Sequence, residues 1–489
     1  MESGWILLWI LFYFLILYLV GYFLSRKAGY QSYFNANRNV SWILITIGMI
    51  GDSLSGVTFI SVPGKVYTDG FSYLQVVLGY VAGYWLIATV LIPVYYKYRL
   101  TSVYEWLGIR FHSFAQKTGS IIFIISRLTG AAARLYLSVW VFYEFILKKI
   151  FPVHFLWFVL VILALIFFYT RKGGIRVLVY TDTFQSIVLF LSLIICVAGA
   201  WFSLPHNSVI VGRIFHDSMS RIIISDFSHP HFFWKDFLGG MLICLGMTGL
   251  DQNMMQKNLS CRSREDAALN LKMFSGVVLV VNIFFLLLGY LLYHQEMVKE
   301  WINEKGVIQT DSVFPAWVLE NGTKWIIIWF VLGLTAASFN SADSVMTTLT
   351  TSWYIDVLGN KPEESSQEKT RTRIHAFFAL AIFVCITLFY FFNNNALIDT
   401  VLFLGGVTYG PLLGIFLFGL LFSGNISPLR LMLVIISGMT IGLMLYYYLK
   451  NHPDIYRPGV DFILWNTAIH LLLLYLFSEK KTQHIKVNK

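Results

Sequence analysis

Between residues 334 and 359 the chain reads LTAASFNSADSVMTTLTTSWYIDVLG. The stretch is long enough to cross a bilayer as a helix, yet one side of it is polar. Asn340, Asp343, Ser344, Thr347, Thr348 and Thr351 recur at steps of three and four, so they share one helical face. Ala336 and Ala337, one turn earlier, are small enough to let another backbone approach closely. A carboxylate among hydroxyls at membrane depth is costly unless an ion, a solute or a buried partner compensates it. The face reads as an ion site; the alternative is a hydrogen-bonded packing seam between helices.

Three other stretches carry groups of the same kind. SWILITIGMIGDSLSGVTFISVPG (41–64) crowds Gly48, Gly51 and Gly56 with Asp52, Ser53, Ser55, Thr58 and Ser61, and Pro63-Gly64 is expected to end it. Glycine disfavours a continuous helix by about 1 kcal/mol per position. A break there frees backbone carbonyls, which are tolerated at membrane depth only where they line a cavity or bind something. The stretch 118–147 carries Arg127 and Arg134, seven residues apart and so on one face. Arg134 lies near mid-membrane and reads as an anion partner, whereas Arg127 lies nearer the cytoplasm and can pair structurally. Asp182, in LVYTDTFQ, can pair with Arg176 or face Asp343.

The elements that must hold these residues are membrane helices. The 489 residues are 57% hydrophobic and 13% charged, with mean hydropathy +0.68. A soluble domain carries about a quarter charged residues. About thirteen apolar runs reach spanning length: 5–25, 40–62, 71–96, 118–147, 153–170, 180–203, 236–256, 273–294, 324–355, 374–392, 396–422, 428–449 and 459–478. The net charge of +10 does not point to nucleic acid. Most basic residues, among them Arg26, Lys27, Arg110, Arg171, Lys257, Arg264, Arg371 and Lys480, fall in alternate loops if the N-terminus is outside and the C-terminus cytoplasmic. TSVYEWLGIRF (101–111) is then a cytoplasmic amphipathic segment whose Glu105 and Arg110 pair or are solvated. Arg26-Lys27 follows the first span and no base precedes it, which is the pattern of an anchor rather than a cleaved signal. The four cysteines imply no disulfide framework. His229 and His231 lack further ligands at metal-binding spacing.

The run 236–256, FLGGMLICLGMTGLDQNMMQKN with its flank, is also glycine-interrupted, at Gly239, Gly240, Gly246 and Gly249. Two interrupted spans at matching places, five spans apart and so in opposite directions, point to an inverted-repeat transporter with its site at the breaks. The expected layout is one transporter domain over 1–489. It has an extra N-terminal helix (1–30), a first repeat (40–203), an inverted second repeat (236–422), two extra helices (428–478) and a basic cytoplasmic tail (479–489).

These residues resemble the sodium:solute symporter family, a branch of the LeuT-like fold, over nearly the whole chain. Four stretches carry the resemblance: SLSGVTFISVPG (53–64), TSVYEWLGIRF (101–111), GGIRVLVYTDTFQ (173–185) and AASFNSADSVMTTLTTSWYID (336–356). It implies an all-α membrane protein with a five-plus-five inverted repeat, one extra N-terminal and two extra C-terminal helices. It also implies a sodium site between the first and eighth core helices. The ligands there would be the carbonyls of Gly51, Leu54 and Ala337 and the side chains of Asn340 and Ser341. The family usually carries a hydroxyl where Asn340 stands; an amide oxygen also ligates a hard cation. Members with a second sodium site build it from the positions filled here by Asp182, Asp343 and Ser344. Asp52 departs from the pattern, since a small neutral residue is commoner there, and has no assigned role.

For the solute, sugar-transporting members place a Tyr-Trp gate where this chain has Met247-Thr248. Sialic-acid-transporting members are more similar, and their substrate-facing positions match Ser53, Ser55, Thr58, Phe71, Gln75 and Arg134. A guanidinium fork suits a carboxylate. The resemblance therefore implies a secondary active symporter of a cytoplasmic (inner) membrane, coupled to one or two Na+ ions and without an organic cofactor. Its solute would be a small organic anion, sialic acid or another. The alternatives are a symporter for a neutral sugar or other solute, a transporter-like sensor or channel, and a membrane-embedded enzyme. His294, His375 and His470 stand at span ends with no nucleophile beside them, which weighs against the enzyme.

Overall fold

The computed structural model describes residues 4–25, 36–148, 153–204, 212, 214, 216–298, 310–360, 368–392 and 397–479. Among them there are helices, two isolated β-bridges and no strand. In chain order the helices are α1 (Gly4–Ser25), α2 (Trp42–Ser53), α3 (Gly56–Asp69), α4 (Tyr73–Lys97), α5 (Glu105–Arg110), α6 (Ser113–Phe142) and α7 (Phe155–Phe202). Then come α8 (Phe233–Cys244), α9 (Gln252–Asn258), α10 (Arg264–Tyr293), α11 (Thr310–Asn321), α12 (Lys324–Ser352), α13 (Glu368–Phe392), α14 (Leu397–Leu421), α15 (Pro428–Asn451) and α16 (Phe462–Phe477). Eight helices among the described residues are long and apolar enough to span, α2 and α3 pass as one bent span, and three shorter apolar helices accompany them. α7 is continuous only in its hydrogen bonding: Gly174 sits at φ 54°, a conformation open to glycine, and the helix turns there.

Both expected breaks are present. α2 ends at Ser53, Leu54 leaves helical geometry at φ −100°, ψ 78°, and α3 departs at 61°. α8 passes through a wide turn at Leu245–Gly249, Leu250 is non-helical, and Asp251 caps α9 by accepting from the amides of Asn253 (2.9 Å) and Met254 (3.2 Å). Pro63 does not end α3, contrary to expectation. The helix runs through it to Asp69 and stops at Gly70, which has φ 59°. Packing sustains it: the Tyr293 hydroxyl donates to the Gly64 carbonyl (2.5 Å), and Gly289 of α10 lies so close that a Cβ there would meet Pro63 O at 2.4 Å.

Glu105 and Arg110 of α5 do not pair with one another. Glu105 accepts from the amides of Thr101 (2.8 Å) and Ser102 (3.2 Å), capping its own helix. Burial pushes its carboxyl pKa up, against the pull of those two amides. Arg110 donates to the carbonyls of Gly419 (3.0 Å), Phe422 (2.6 Å) and Gly424 (2.9 Å), tying α5 to the end of α14. α12 is the central helix: it packs on α7, α6, α2 and α9, and every described residue from Ala342 to Ser352 is buried. Lys257 and Arg371, expected in cytoplasmic loops, are 1% and 3% exposed. Hydropathy cannot separate a short helix folded back under a break from the loop that follows it.

Candidate functional site

The α2–α3 break opens onto a cavity of about 110 Å³. Its walls come from the break itself and from α4, α6, α8 and α10. Ser53, Ser55, Thr58 and Arg134 line it as expected, and so do Met247 and Thr248. Phe71 and Gln75 are not among its lining residues. Phe71 meets the Tyr290 ring edge-on at 6.1 Å. Gln75 accepts from the Ile224 amide (3.1 Å) and donates to the His231 carbonyl (3.0 Å) and to Asp236 (3.3 Å), clasping the outer loop. The polar wall residues Tyr73, Tyr80, Tyr84 and Asn282 were not singled out from the sequence. Asn282 is 2% exposed; its amide donates to the Val278 carbonyl (2.8 Å), while Oδ1 accepts nothing among the described residues. An unpartnered Asn on an apolar helix was the available signal. Tyr73 also lines a larger outer cavity of about 420 Å³, with Lys65, Asp69, His231 and Lys450. The two cavities therefore share a wall at Tyr73.

The two arginines of α6 end differently. Arg127 Nε is paired with the Asp251 carboxylate, which also accepts from the Tyr409 hydroxyl (2.7 Å). Arg134, two turns on, faces the cavity and has no carboxylate at ion-pair distance among the described residues. Asp251 was missed in the sequence because a cap and an ion-pair partner look alike there.

At the first expected cation position, Gly51 lies against Asn340: a Cβ on Gly51 would come 2.5 Å from Asn340 Nδ2. Only glycine permits that approach. Asn340 is fully buried, its Nδ2 reaches the Asp182 carbonyl at 3.5 Å, and its Oδ1 has no hydrogen-bond partner. The break leaves the last carbonyls of α2, those of Gly51 and Leu54 included, beyond regular helix pairing. Ala337 is buried one turn before Asn340. The side chain of Ser341 lies outside the described residues.

One turn further along α12, Asp182 and Ser344 come together: the Ser344 hydroxyl donates to Asp182 Oδ2 (3.2 Å). Asp343 Oδ1 accepts from the Ser344 amide (2.6 Å). A third group stands between them. The Lys257 ammonium, reaching in from α9, donates to Asp182 Oδ2 (2.5 Å) and to Ser344 Oγ (3.1 Å), and is also paired with Asp52 Oδ2. Asn253 Nδ2 donates to the other Asp52 oxygen (3.2 Å). Below this, α9 continues to engage the polar face of α12: the Thr348 hydroxyl donates to Asn253 Oδ1 (3.1 Å), and Gln256 Nε2 approaches Thr351 Oγ1 (3.5 Å).

A profile of the sodium:solute symporter family matches residues 33–425. The human sodium/iodide cotransporter is 27% identical over 263 residues, 52% of this chain and 39% of that protein. The human sodium-coupled monocarboxylate transporter 2 is 26% identical over 306 residues, 60% of this chain and 47% of that protein. The chain thus spans less than two thirds of the length of these relatives. A solved Na+-coupled sialic acid symporter, in a substrate-bound outward-open state, superposes with TM-score 0.79 at 18% identity, covering 97% of this chain and 99% of that one. That likeness extends to the LeuT-like fold. The family match spans most of the chain, from before the first broken helix to the end of α14, and on it the protein belongs to the sodium:solute symporter family.

Proposed function

We propose that the protein is a secondary active symporter that couples Na+ entry to import of a small carboxylate-bearing organic solute, sialic acid or another organic anion. The carrying observation is Arg134. A cation facing a cavity at membrane depth with no carboxylate at ion-pair distance among the described residues is costly, and Asp52 of the same cavity is already paired with Lys257. A solute carboxylate supplies the missing partner, and the guanidinium fork accepts it bidentately. Ser53, Ser55, Thr58 and the Asn282 oxygen line the same cavity and suit a hydroxyl- or amide-bearing remainder. The relatives named for iodide, monocarboxylates and sialic acid carry anionic solutes by those names.

For sodium, the orphaned Asn340 oxygen supports a site completed by the carbonyls of Gly51, Leu54 and Ala337 and by Ser341. An all-oxygen shell suits a hard cation. Asp182, Asp343 and Ser344 form a second cation position one turn away. The chain resides in a cytoplasmic membrane with its N-terminus outside and its C-terminus inside, in keeping with the placement of its basic residues.

The test is uptake of radiolabelled organic acids into proteoliposomes, in sodium against choline. Uptake of at least one acid should require sodium. Arg134→Ala should abolish binding of that acid while the protein stays folded, and Arg134→Lys should rescue poorly, because an ammonium lacks the fork. Wild-type affinity in the alanine variant would overturn the reading.

A further inference from the structure

Lys257 is the least exposed lysine or arginine among the described residues. It is 1% exposed, it lies on a seven-residue helix buried at every position, and its ammonium is held by oxygens from three helices. These are Asp52 of α2, Asp182 of α7 and Ser344 of α12. Those helices must bear on one another wherever a cation coordinated from the break would tie them together. The donor set is two carboxylates and a hydroxyl, which is hard-cation chemistry. Resting on the site assignment above, we propose that the Lys257 ammonium is a tethered cation that takes the place of a second sodium ion, so that the protein binds one Na+ and not two.

The charge arithmetic explains the residue at 52. A second carboxylate beside Asp182 would be repelled from it without a cation between. Asp52 and Lys257 therefore form a matched pair: the lysine fills the cation position, and the aspartate balances it and holds its head group in line. Asn253, one turn before Lys257 on α9, fixes the second Asp52 oxygen and so locks that orientation. Asp182 Oδ1 makes no hydrogen bond among the described residues. With the ammonium removed, Asp182 Oδ2, one Asp52 oxygen and the Ser344 hydroxyl face the space it leaves, and a sodium ion could enter it.

A lysine also differs from an ion in what it does during a cycle. It cannot leave with the solute, so it contributes no net charge movement over a complete turnover. It holds α2, α7, α9 and α12 together whatever the sodium concentration, whereas an ion would do so only when bound.

Equilibrium binding of 22Na+ to the purified full-length protein tests this directly. The expected wild-type stoichiometry is one sodium per protein, rising by one in Lys257→Met. Because that variant leaves two carboxylates facing one another, Lys257→Met/Asp52→Asn provides a second route with less buried charge, and it too should gain one ion. Two ions in the wild type overturn the proposal whether or not either variant folds. A folded variant with no added sodium overturns it as well. No sodium bound by the wild type but one by the variant would remove the Asn340 site and the sodium-coupled reading, and leave the Lys257 assignment standing.

Discussion

Two stretches of α12 differ by a single turn and by almost everything else. At Asn340 the polar face is open: its buried amide oxygen has no partner among the described residues, and the amide lies against Gly51 at the α2–α3 break. From Ser344 to Thr351 the face is engaged by Lys257, Asn253 and Gln256 of α9. The same contrast recurs on α6, where both arginines line the cavity but only Arg127 is paired, with Asp251, while Arg134 has no carboxylate at ion-pair distance among the described residues. Residue type does not distinguish members of either pair. What distinguishes them is whether α9 and its cap lie opposite. The packing-seam reading describes the part from Ser344 to Thr351, and the ion site is proposed for the part at Asn340.

The widest gap should appear between the two arginines. Arg127→Ala leaves a buried carboxylate without its guanidinium and should cost about 3–5 kcal/mol of stability, the range for breaking a buried pair. Arg134→Ala should leave the melting temperature in detergent nearly unchanged. Equal melting temperatures for the two variants would erase the contrast.

A smaller effect is expected at the open part of α12. Asn340→Ala removes one oxygen from the proposed sodium shell, and the sodium needed for half-maximal uptake should rise about tenfold, or about 1.4 kcal/mol. Thr348→Val, in the closed part, should not move that value beyond twofold. A sodium dependence sensitive to Thr348 and indifferent to Asn340 would reverse the assignment of open and closed.

The smallest effect concerns Gln75, which resembles a substrate-facing position but clasps the outer loop. Gln75→Ala should raise amide hydrogen exchange around Ile224 and lower stability by about 1–3 kcal/mol, as for a lost buried hydrogen bond. Solute affinity should stay within twofold. A loss of affinity comparable to that of Arg134→Ala would return Gln75 to the solute site.

Under the proposed function, the number of sodium ions sets what the protein can do. A potential of 100 mV contributes about 2.3 kcal/mol per positive charge moved, and a tenfold sodium gradient about 1.4 kcal/mol per ion. For a solute with one negative charge, a single sodium makes the cycle electroneutral, and only the gradient remains. Replacing one mobile ion with Lys257 would thus exchange driving force for independence from the membrane potential.

The sequence by itself determined the class of molecule, the two broken helices and most polar residues at the centre. Those follow from composition, glycine placement and three-to-four spacing, which are local properties. Asp52 was visible as a departure without a role. Its partner was not visible, because Lys257 lies 205 residues away and reads as the base of a cytoplasmic loop. Only the tertiary structure decided which charges meet: Arg127 with Asp251, Lys257 with Asp52 and Asp182, and Gln75 with the outer loop. The reason is physical. Spacing along one helix determines which side chains share a face, but their partners lie across helix–helix contacts set by how the breaks bend the chain. At low dielectric it is the partner that decides whether a charged group is a ligand waiting for its ion or part of the frame.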